Sequence, residues 1–384
     1  MVLFLHNRYR TTGGEERAVQ DLMWLVREQL GEDAELLARD SAALGRGRAA
    51  LGLLRGGSQP EDVARAVRLS GARVIHAHNL APALGWRALA AARAAGARVV
   101  LHLHQYRLVC AIGVCFTREA ECTRCHGRNT LAGVRLNCRG SVPESLAYGV
   151  ALALWQRRMV EQADAVIVPS RFARERLREL GAPLRWDRVH VLAPPLRALG
   201  GPAQAPARER PARGAGAYAL VVSRLSAEKG VDVAIDACRM ASMPLVVAGE
   251  GPHYAQLRER VRGADVRFLG HVDDAELDGL RAGAAIALVP SRSAETFGLA
   301  AAEAMAAGLP VAASRVGALP ELVEEDGLVD PGSARALAVA IERRAGDVAA
   351  GERGRARARA LCAPEVAATT LAGIYEGRAP VAST

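Results

Sequence analysis

The sequence predicts an α/β protein made of two doubly wound Rossmann-like domains, and three observations support this prediction. The chain has 384 residues, more than one ordinary domain core requires. Short apolar runs alternate with amphipathic stretches along the whole chain, as they do where parallel strands are connected by helices. A segment rich in Pro, Gly and Ala at 200–217 lacks this periodicity. We therefore expect a linker there, between two sheets whose strand carboxyl ends face one another across a cleft.

Four apolar runs in the first half predict buried parallel strands. They are VLFLH (2–6), RVIHAH (73–78), RVVLHLH (98–104) and DAVIVPS (164–170). The stretches 15–30 and 82–95 between them have the spacing of helices. We expect this first domain to span 1–199.

Five further runs after the linker repeat the pattern. They are YALVVS (218–223), MPLVVAGE (243–250), DVRFLG (265–270), AAIALVP (284–290) and LPVAAS (309–314). We expect a second domain at 218–360, followed by a C-terminal helix at 361–384 that packs back on the first domain.

The composition favours a globular protein with anionic partners. Half of the residues are hydrophobic, and the net charge is +9, which favours phosphate esters, anionic lipid head groups or nucleic acid. A genomic preference for arginine explains the charge equally well. No run reaches the roughly 20 apolar residues of a membrane span, and the N-terminus does not resemble a signal peptide. We expect a cytoplasmic protein. The charge also permits peripheral contact with the anionic inner face of the membrane through the helical stretches 15–30 and 146–160, which mix Arg with apolar residues; ordinary packing of these helices on a sheet is the alternative.

Several residues at predicted strand ends of the first domain are suited to binding. Gly13 and Gly14 precede a helix whose N-terminal amides carry positive dipole. Asn79 and His104 follow two neighbouring strands. A tight turn and a structural histidine are the alternative interpretations.

The second domain has more specific signals at its strand ends. SRLSAEKG (223–230) places Arg224 and Lys229 in a turn after a strand, and Lys229 is the only lysine of the chain. AGEGP (248–252) forms a glycine turn that contains Gly249 and Glu250.

A pair of glutamates lies near the last strands of the second domain. Glu295 and Glu303 are separated by eight residues, and we expect a helix that begins near Thr296. Glu303 would then lie about two turns along that helix. A capping glutamate followed by a solvated one is the alternative.

These motifs together resemble a known family. SRLSAEKG, AGEGP, FLGHV and ETFGLAAAEAMAAGLPV look like the donor half of the retaining glycosyltransferases of family 4, which have a GT-B fold. The glycine pair and HLHQYR resemble the acceptor half of the same family. The resemblance covers essentially the whole chain.

The resemblance implies a retaining glycosyltransferase that uses a nucleotide-diphosphate sugar, UDP- or GDP-linked, and a glycan, lipid-linked or small-molecule acceptor. His104, Arg224, Lys229 and Glu295 would be the catalytic residues. The donor-binding residues would be Gly13, Gly14, Arg224, Lys229, Gly249, Glu250, Val272, Glu295, Thr296, Phe297, Gly298, Leu299 and Glu303.

Their implied roles follow the chemistry of the donor. Arg224 and Lys229 would bind the diphosphate, whose charge grows as the anomeric bond breaks. Glu303 would bind the ribose hydroxyls, and Glu295 the transferred sugar. The sequence has no Asp-x-Asp, so no catalytic divalent metal is expected. The leaving phosphate would assist deprotonation of the acceptor on the same face; Gln105, after His104, departs from the family pattern.

An insertion at 106–140 contains five of the seven cysteines. Cys122 and Cys125 have a zinc-knuckle spacing, and two further cysteines would complete a four-thiolate site. By resemblance to bacterial family members, the ligands are Cys110, Cys122, Cys125 and Cys138, with Cys115 extra and zinc in a structural role. The alternatives are unmetallated thiols, an iron–sulfur cluster, or His126 as a ligand.

Two other functions are compatible with parts of the sequence. A GT-B sugar-nucleotide epimerase would share the architecture, although the glutamate pair argues against it. A zinc-containing nucleic-acid-binding protein would explain the charge and the cysteines. It would require aromatic residues interleaved with basic ones, and the aromatic residues are scattered, so we expect no nucleic-acid partner.

Overall fold

The computed structural model describes residues 1–8, 14–200 and 217–380. The chain divides into two compact units. The first unit consists of Met1–Thr117, Cys122–Pro195 and the segment from Pro364 onward, and the second of Arg118–Glu121 and Leu196–Ala363. Gly13 and almost all of the predicted linker lie outside the described residues.

The first unit is built on a six-stranded parallel sheet with the order β2-β1-β3-β4-β7-β8. Its strands are β1 (Val2–Arg8), β2 (Ala34–Asp40), β3 (Val74–Ala77), β4 (Arg98–His102), β7 (Ala165–Val168) and β8 (Val189–Val191). The sequence predicts four of them. It misses β2 and β8 because β2 is a half-exposed edge strand without an apolar run and β8 has only three residues.

In the described part of the chain, seven helices of the first unit precede the second sheet. They are α1 (Gly14–Glu28), α2 (Arg46–Arg55), α3 (Pro60–Ser70), α4 (Gly85–Ala94), α5 (Leu131–Arg135), α6 (Val142–Glu161) and α7 (Arg171–Glu179). The cysteine-rich insertion also contains a two-stranded sheet of β5 (Phe116–Thr117) and β6 (Ala120–Glu121).

The second unit has its own six-stranded parallel sheet, with the order β11-β10-β9-β12-β13-β14. Its strands are β9 (Ala219–Val222), β10 (Leu245–Ala248), β11 (Val266–Gly270), β12 (Ile286–Val289), β13 (Val311–Ser314) and β14 (Leu328–Val329). Its helices are α8 (Val231–Met240), α9 (Tyr254–Arg260), α10 (Asp274–Gly283), α11 (Leu299–Ala306), α12 (Leu319–Leu322), α13 (Ala334–Arg344) and α14 (Val348–Cys362). The last helix, α15 (Pro364–Glu376), belongs to the first unit. Two parallel α/β sheets agree with the predicted fold class.

Parallel pairing sets the position of the polar residues in both sheets. Because all strands of each sheet run in one direction, their carboxyl ends lie at one edge, where the loops carry the polar side chains. In the first unit, Phe4 pairs with His76, and His76 with Val100. Among the described residues, no helix combines the length and the apolar composition needed to cross a bilayer.

The last helix, α15, completes a core of the first unit. Leu371, Ile374 and Tyr375 are buried in the same cluster as Val2 and Phe4 of β1. The chain thus returns to its first sheet after finishing the second one.

Shortening a buried side chain of α15 tests this arrangement. We expect Leu371→Ala to lower the free energy of unfolding by about 2–5 kcal/mol, because Leu371 is fully buried and its removal leaves a cavity. Val366→Ala, on the exposed side of the same helix, is the control and should cost about 0.5 kcal/mol or less. Chemical denaturation measures both; equal effects would contradict the packing of α15 described here.

Candidate functional site

The turn after β9 carries a buried glutamate that positions an arginine. Glu228 accepts a hydrogen bond from Ser226 Oγ at 2.7 Å and forms an ion pair with Arg224. Burial alone would raise the pKa of Glu228, but the bonds from Ser226 and Arg224 outweigh it and hold the pKa below its ordinary value. Arg224 keeps 57% of its side chain exposed. A fixed carboxylate therefore orients a guanidinium whose other donors face outward.

The next residue of that turn, Lys229, is paired with Glu295. Lys229 Nζ lies 2.6 Å from Glu295 Oε1, which also accepts a hydrogen bond from Ser291 Oγ at 2.6 Å. Burial would raise the pKa of Glu295, yet the charge and hydrogen bond of Lys229 hold it below its ordinary value. The structure thus brings together two residues that the sequence analysis assigned to the donor site from segments 66 positions apart.

Two glycines of this region have conformations that other residues rarely adopt. Gly249 has φ 135°, and a Cβ there would lie 2.0 Å from the carbonyl oxygen of Ser223. Gly298 has φ 98° and precedes α11, and a Cβ there would lie 2.6 Å from Leu319 Cδ2. These glycines allow the turns to approach neighbouring segments closely.

The helix of the glutamate pair begins later than the sequence predicts. We expected a start near Thr296, but α11 begins at Leu299 because Gly298 adopts a left-handed conformation. Thr296 and Phe297 therefore lie in the loop, and Glu303 lies about one turn into the helix rather than two. Its carboxylate is paired with Arg281, a buried residue of α10.

Glu250 and Val272 follow two adjacent strands and are brought close by them. Gly249 N donates to Gly270 O at 2.7 Å, and the amide of His271, next to Val272, lies 3.4 Å from Glu250 Oε1. Glu250 is exposed and Val272 is half-buried. The ends of β10 and β11 therefore form one continuous edge.

The first unit contains four histidines in a compact array that we call the histidine array: His76, His78, His102 and His104. Two pairs have nearly parallel rings and are hydrogen-bonded, His76 Nε2 to His102 Nδ1 at 3.2 Å and His78 Nδ1 to His104 Nε2 at 2.7 Å. The two pairs stack on each other with ring centroids 4.6 and 4.2 Å apart. At the His76 end of the array, the hydroxyl of Tyr375 of α15 lies 2.7 Å from His76 Nδ1.

Burial keeps the histidine array neutral. It lowers the pKa of His76 to about 3 and the pKa values of His78 and His102 well below the ordinary value, and neighbouring imidazoles lower them further. The pKa of His104 is also lowered by burial, although the charge of Glu15 opposes that effect.

His104 lies at the outer end of the histidine array, among residues of the predicted acceptor side. Gln105 donates from Nε2 to Glu15 Oε2 at 3.0 Å, which connects the end of β4 to the first turn of α1. Gly14 is the first residue of α1. Asn79 is structural in part, because its side-chain amide donates to Asn7 O at 2.6 Å and holds β1.

A cavity of about 110 Å³ adjoins His104. Its walls come from α2, α4, α6 and the ends of β3 and β4, and they include Leu53, Trp86, Leu152 and Trp155. All of its lining residues belong to the first unit. Sequence reasoning did not predict this cavity.

The five cysteines of the insertion surround one small space. Cys110, Cys115, Cys122, Cys125 and Cys138 all line a cavity of about 10 Å³, which is the size of a single water molecule or ion. A hydrogen bond from Cys115 and backbone amides lower the pKa of Cys110 to about 6 against the effect of burial. None of the cysteines is in a disulfide. Four thiolates are the donor set of a structural metal site, but among the described residues the only group of three or more possible ligands with ligand atoms within 4.8 Å of one another is His76, His78 and His102.

Several partners in these sites were missed by the sequence analysis. They are Glu228, Arg281, Ser291, His76, His102 and Tyr375. Glu228 follows Arg224 by four residues, a recognisable ion-pair spacing, whereas Arg281 and Tyr375 are far from their partners in sequence and gave no local signal.

Two family models match the two halves of the chain. Residues 13–195 match the glycosyl transferase 4-like domain, and residues 216–347 match the glycosyl transferases group 1. The first match contains every strand of the first sheet except β1, and the second contains the whole second sheet.

Curated relatives share part of the sequence. A GDP-mannose-dependent alpha-(1-6)-phosphatidylinositol dimannoside mannosyltransferase of Mycobacterium tuberculosis is 36% identical over 178 residues, covering 44% of this chain and 45% of the relative. A glycogen synthase of Mycobacterium tuberculosis is 35% identical over 212 residues, covering 52% of this chain and 50% of the relative. The chain spans about half the length of these relatives.

Solved structures resemble the chain over almost its whole length. A sucrose-phosphate synthase from Thermosynechococcus elongatus has a TM-score of 0.68 at 21% identity and covers 98% of both chains. The Anabaena protein HepE in complex with UDP and glucose has a TM-score of 0.63 at 19% identity and covers 98% of this chain and 99% of its own. At these identities the similarity shows the fold.

The histidine array makes folding stability dependent on pH. Unfolded histidines have a pKa of about 6.5, and the buried imidazoles have lower values, so the unfolded chain binds more protons below that pH. We expect the free energy of unfolding to fall as the pH drops from 7 to 5, by up to about 1.4 kcal/mol per pH unit for each histidine involved.

Denaturant titrations across this pH range measure the slope. His102→Gln should make it shallower, and His271→Gln, which changes an exposed histidine of the second unit, should leave it unchanged. Equal slopes for the wild type and for His102→Gln would refute the assignment of this pH dependence to the histidine array.

Proposed function

The chain belongs to the group 1, family-4-like glycosyltransferases with the GT-B fold, and on this basis we propose that it is a retaining enzyme that transfers a sugar from a UDP- or GDP-sugar. The acceptor is a glycan, a lipid-linked acceptor or a small molecule. The relative from Mycobacterium tuberculosis is named for GDP-mannose and a phosphatidylinositol dimannoside, and the Anabaena structure was solved with UDP and glucose.

The Lys229–Glu295 pair is the observation that carries this proposal. An ammonium has three N–H donors, and Glu295 accepts one of them at 2.6 Å. The ion pair therefore fixes Lys229 while leaving donors for the diphosphate of the donor. Glu295, held as a carboxylate, is placed to accept hydrogen bonds from the hydroxyls of the transferred sugar.

Arg224 supplies the second cation through a different geometry. Its guanidinium has five N–H donors, and Glu228 occupies only part of them. A planar fork and a point charge together suit a diphosphate whose charge increases as the anomeric bond breaks. Both cations stabilise the leaving group more than the intact donor, which lowers the barrier without a divalent metal.

The nucleoside occupies the edge formed by β10, β11 and α11. We propose that Glu303 accepts hydrogen bonds from the ribose hydroxyls while Arg281 fixes its carboxylate. Gly249, Glu250 and Val272 line the base and phosphate region. The backbone amides of Thr296, Phe297, Gly298 and Leu299 contact the sugar and the phosphates.

The first unit handles the acceptor. We propose that His104 orients the acceptor hydroxyl and that the leaving phosphate takes its proton on the same face of the sugar, which retains the anomeric configuration. The histidine array limits the movement of His104, because His78 holds its Nε2 at 2.7 Å. Gly14, the first residue of α1, contributes a backbone amide, and we propose the same role for Gly13, which lies outside the described residues.

The cysteine insertion holds a structural zinc ion in this proposal. Cys110, Cys122, Cys125 and Cys138 are the ligands, and Cys115 donates a hydrogen bond to Cys110 instead. When bound, zinc cross-links four points of the insertion and stabilises its fold. Free thiols are typical of a reducing compartment, so we place the enzyme in the cytoplasm, with peripheral contact at the inner face of the membrane.

Nucleotide binding tests the donor site directly. We expect UDP or GDP, at about 100 times its dissociation constant, to raise the free energy of unfolding of its binding unit by about 2.7 kcal/mol. Thermal-shift measurements with both nucleotides identify the base. Glycosyl transfer, and slow hydrolysis of the matching nucleotide sugar, then identify the reaction; neither binding nor hydrolysis with any UDP- or GDP-sugar would refute the proposal.

Substitution of the single lysine tests the role of the ion pair. We expect Lys229→Ala to lower kcat by about 10²–10³-fold, because it removes a cation that acts on the leaving group. Lys229→Arg should recover part of this loss, since a guanidinium restores the charge but not the position of Nζ.

Arg239→Ala removes an exposed, ion-paired arginine of α8 and should leave kcat unchanged. If Lys229→Arg retains turnover within a few-fold, the ammonium is not specifically required. If Lys229→Ala does so as well, the assignment of Lys229 to the leaving group is wrong.

Metal analysis tests the cysteine site. We expect about one zinc per chain by elemental analysis, with the metal lost in Cys125→Ser and retained in both Cys115→Ser and Cys238→Ser, the latter a buried cysteine of α8. Removal of the metal with a chelator should lower the melting temperature. If the purified protein is brown and contains iron and inorganic sulfide, the site holds an iron–sulfur cluster instead of zinc. A metal-free protein of unchanged stability would refute the site.

A further inference from the structure

The cavity beside His104 has the composition of a site for an apolar ligand. Its walls include Leu53, Trp86, Leu152, Trp155 and Met159, and its volume of about 110 Å³ is comparable to engineered cavities that bind benzene. Ligand sites are mostly apolar and contain a few polar groups that fix orientation. The end of the cavity at His104 is where the proposed acceptor hydroxyl reacts.

Four polar atoms of the lining residues support the presence of a ligand. Within the described part of the chain, His78 Nε2, His102 Nε2, Trp86 Nε1 and Gln156 Oε1 are buried and have no hydrogen-bond partner. A buried polar atom without a partner costs about 1–3 kcal/mol. A ligand with an apolar body would fill the space, and its hydroxyl or ether oxygens would be partners for those of the four atoms that face it.

Helix α6 has an apolar face on the cavity and another on the outside. Ala151, Leu152 and Trp155 line the cavity. Leu146 and Val150, which are 51% and 36% exposed, lie on the outer side together with Leu154. A helix on the surface of a globular protein ordinarily carries polar residues on its outer face.

Helix α2, which forms the opposite wall of the cavity, repeats this feature. Leu51 and Leu54 are exposed, and the helix carries Arg46, Arg48 and Arg55 but no acidic residue. Trp155 Nε1 of α6 donates to Leu54 O at 3.1 Å, so the two helices are in direct contact. We call Leu51, Leu54, Leu146, Val150 and Leu154 the apolar patch.

We propose that this cavity holds the first few carbons of the hydrocarbon chain of a membrane-lipid acceptor, with the acceptor hydroxyl at His104, and that the apolar patch rests on the anionic bilayer that supplies this lipid. The proposal rests on the proposed glycosyltransferase function and narrows its acceptor to one class. Leucines and arginines on the same helix are typical of helices that lie in a bilayer interface. Arginines near the patch favour anionic head groups.

Alkyl glucosides with butyl, octyl and dodecyl chains are suitable probes of the cavity. Trp24→Phe with Trp186→Phe leaves Trp86 and Trp155, both in the cavity wall, as the reporters of tryptophan fluorescence. We expect affinity to rise about fourfold for each added methylene until the cavity is full. An affinity independent of chain length would overturn the proposal.

Two substitutions on one helix separate cavity filling from general damage. Ala151→Leu narrows the cavity and should abolish the chain-length dependence, whereas Ala153→Leu, which does not line the cavity, should preserve it. Near-ultraviolet circular dichroism checks that both variants fold. If Ala151→Leu does not fold, Leu152→Ser tests the same wall by making it polar, and undiminished dodecyl glucoside binding to a folded cavity variant counts against the proposal.

Vesicles test the apolar patch. We expect co-sedimentation with vesicles of equal phosphatidylcholine and phosphatidylglycerol but not with phosphatidylcholine alone. Leu146→Glu with Val150→Glu should weaken binding about tenfold or more, and Leu69→Glu, an exposed leucine of α3, should not. Equal binding to both vesicle types, or no effect of the double substitution, would overturn this part.

The probes also distinguish this proposal from the function on which it rests. UDP or GDP binding and donor hydrolysis report on the second unit, whereas alkyl glucoside binding reports on the first. A protein that binds and hydrolyses the donor but ignores chain length refutes the lipid acceptor alone. A protein that binds alkyl chains but no nucleotide refutes the glycosyltransferase function.

Discussion

In-register parallel pairing of β1, β3 and β4 is the constraint on which the site of the first unit depends. Side chains two residues apart lie on the same face of a strand, so the sequences HAH and HLH on neighbouring strands place four imidazoles together. His76 is hydrogen-bonded at both of its ring nitrogens, to Tyr375 and to His102. The position of the proton on one ring therefore restricts which nitrogen of the next ring carries a proton. The burial of the histidines, the pairing of the strands and the position of α15 therefore depend on one another. Together they determine the position of His104, which we propose orients the acceptor.

Much of the fold was predictable from the sequence because central parallel strands are buried on both faces. Such strands appear as apolar runs, and the predicted segments that correspond to β1, β3, β4, β7, β9, β10, β12 and β13 have this pattern. The segment of β11 was also predicted, although β11 is an edge strand that is not fully buried and contains Arg267. The strand β2 was not predicted, because its half-exposed sequence AELLARD mixes charged and apolar residues. Residues at strand ends were also predictable, and Lys229 and Glu295, identified in this way, lie together at 2.6 Å.

The partners of these residues were harder to predict because sequence patterns report burial but not long-range contact. Tyr375 and His76 are 299 positions apart, and nothing local indicates that they meet. The cavity was not predicted for the same reason. Its walls include Leu53, Trp86 and Trp155, which lie on three different helices, and each of these residues alone has the pattern of an ordinary core residue. The start of α11 depended on a single backbone conformation at Gly298, which periodicity does not detect.

The presence of one lysine gives the turn after β9 a chemical property that the rest of the chain lacks. Apart from the N-terminus, the Lys229 side chain is the only primary amine in the sequence. Its side chain is 28% exposed and paired with Glu295, so amine acylation at this position depends on the local opening of that pair. Any reagent or enzyme that modifies lysines has a single side-chain target in this protein, and the target lies in the turn assigned to the diphosphate.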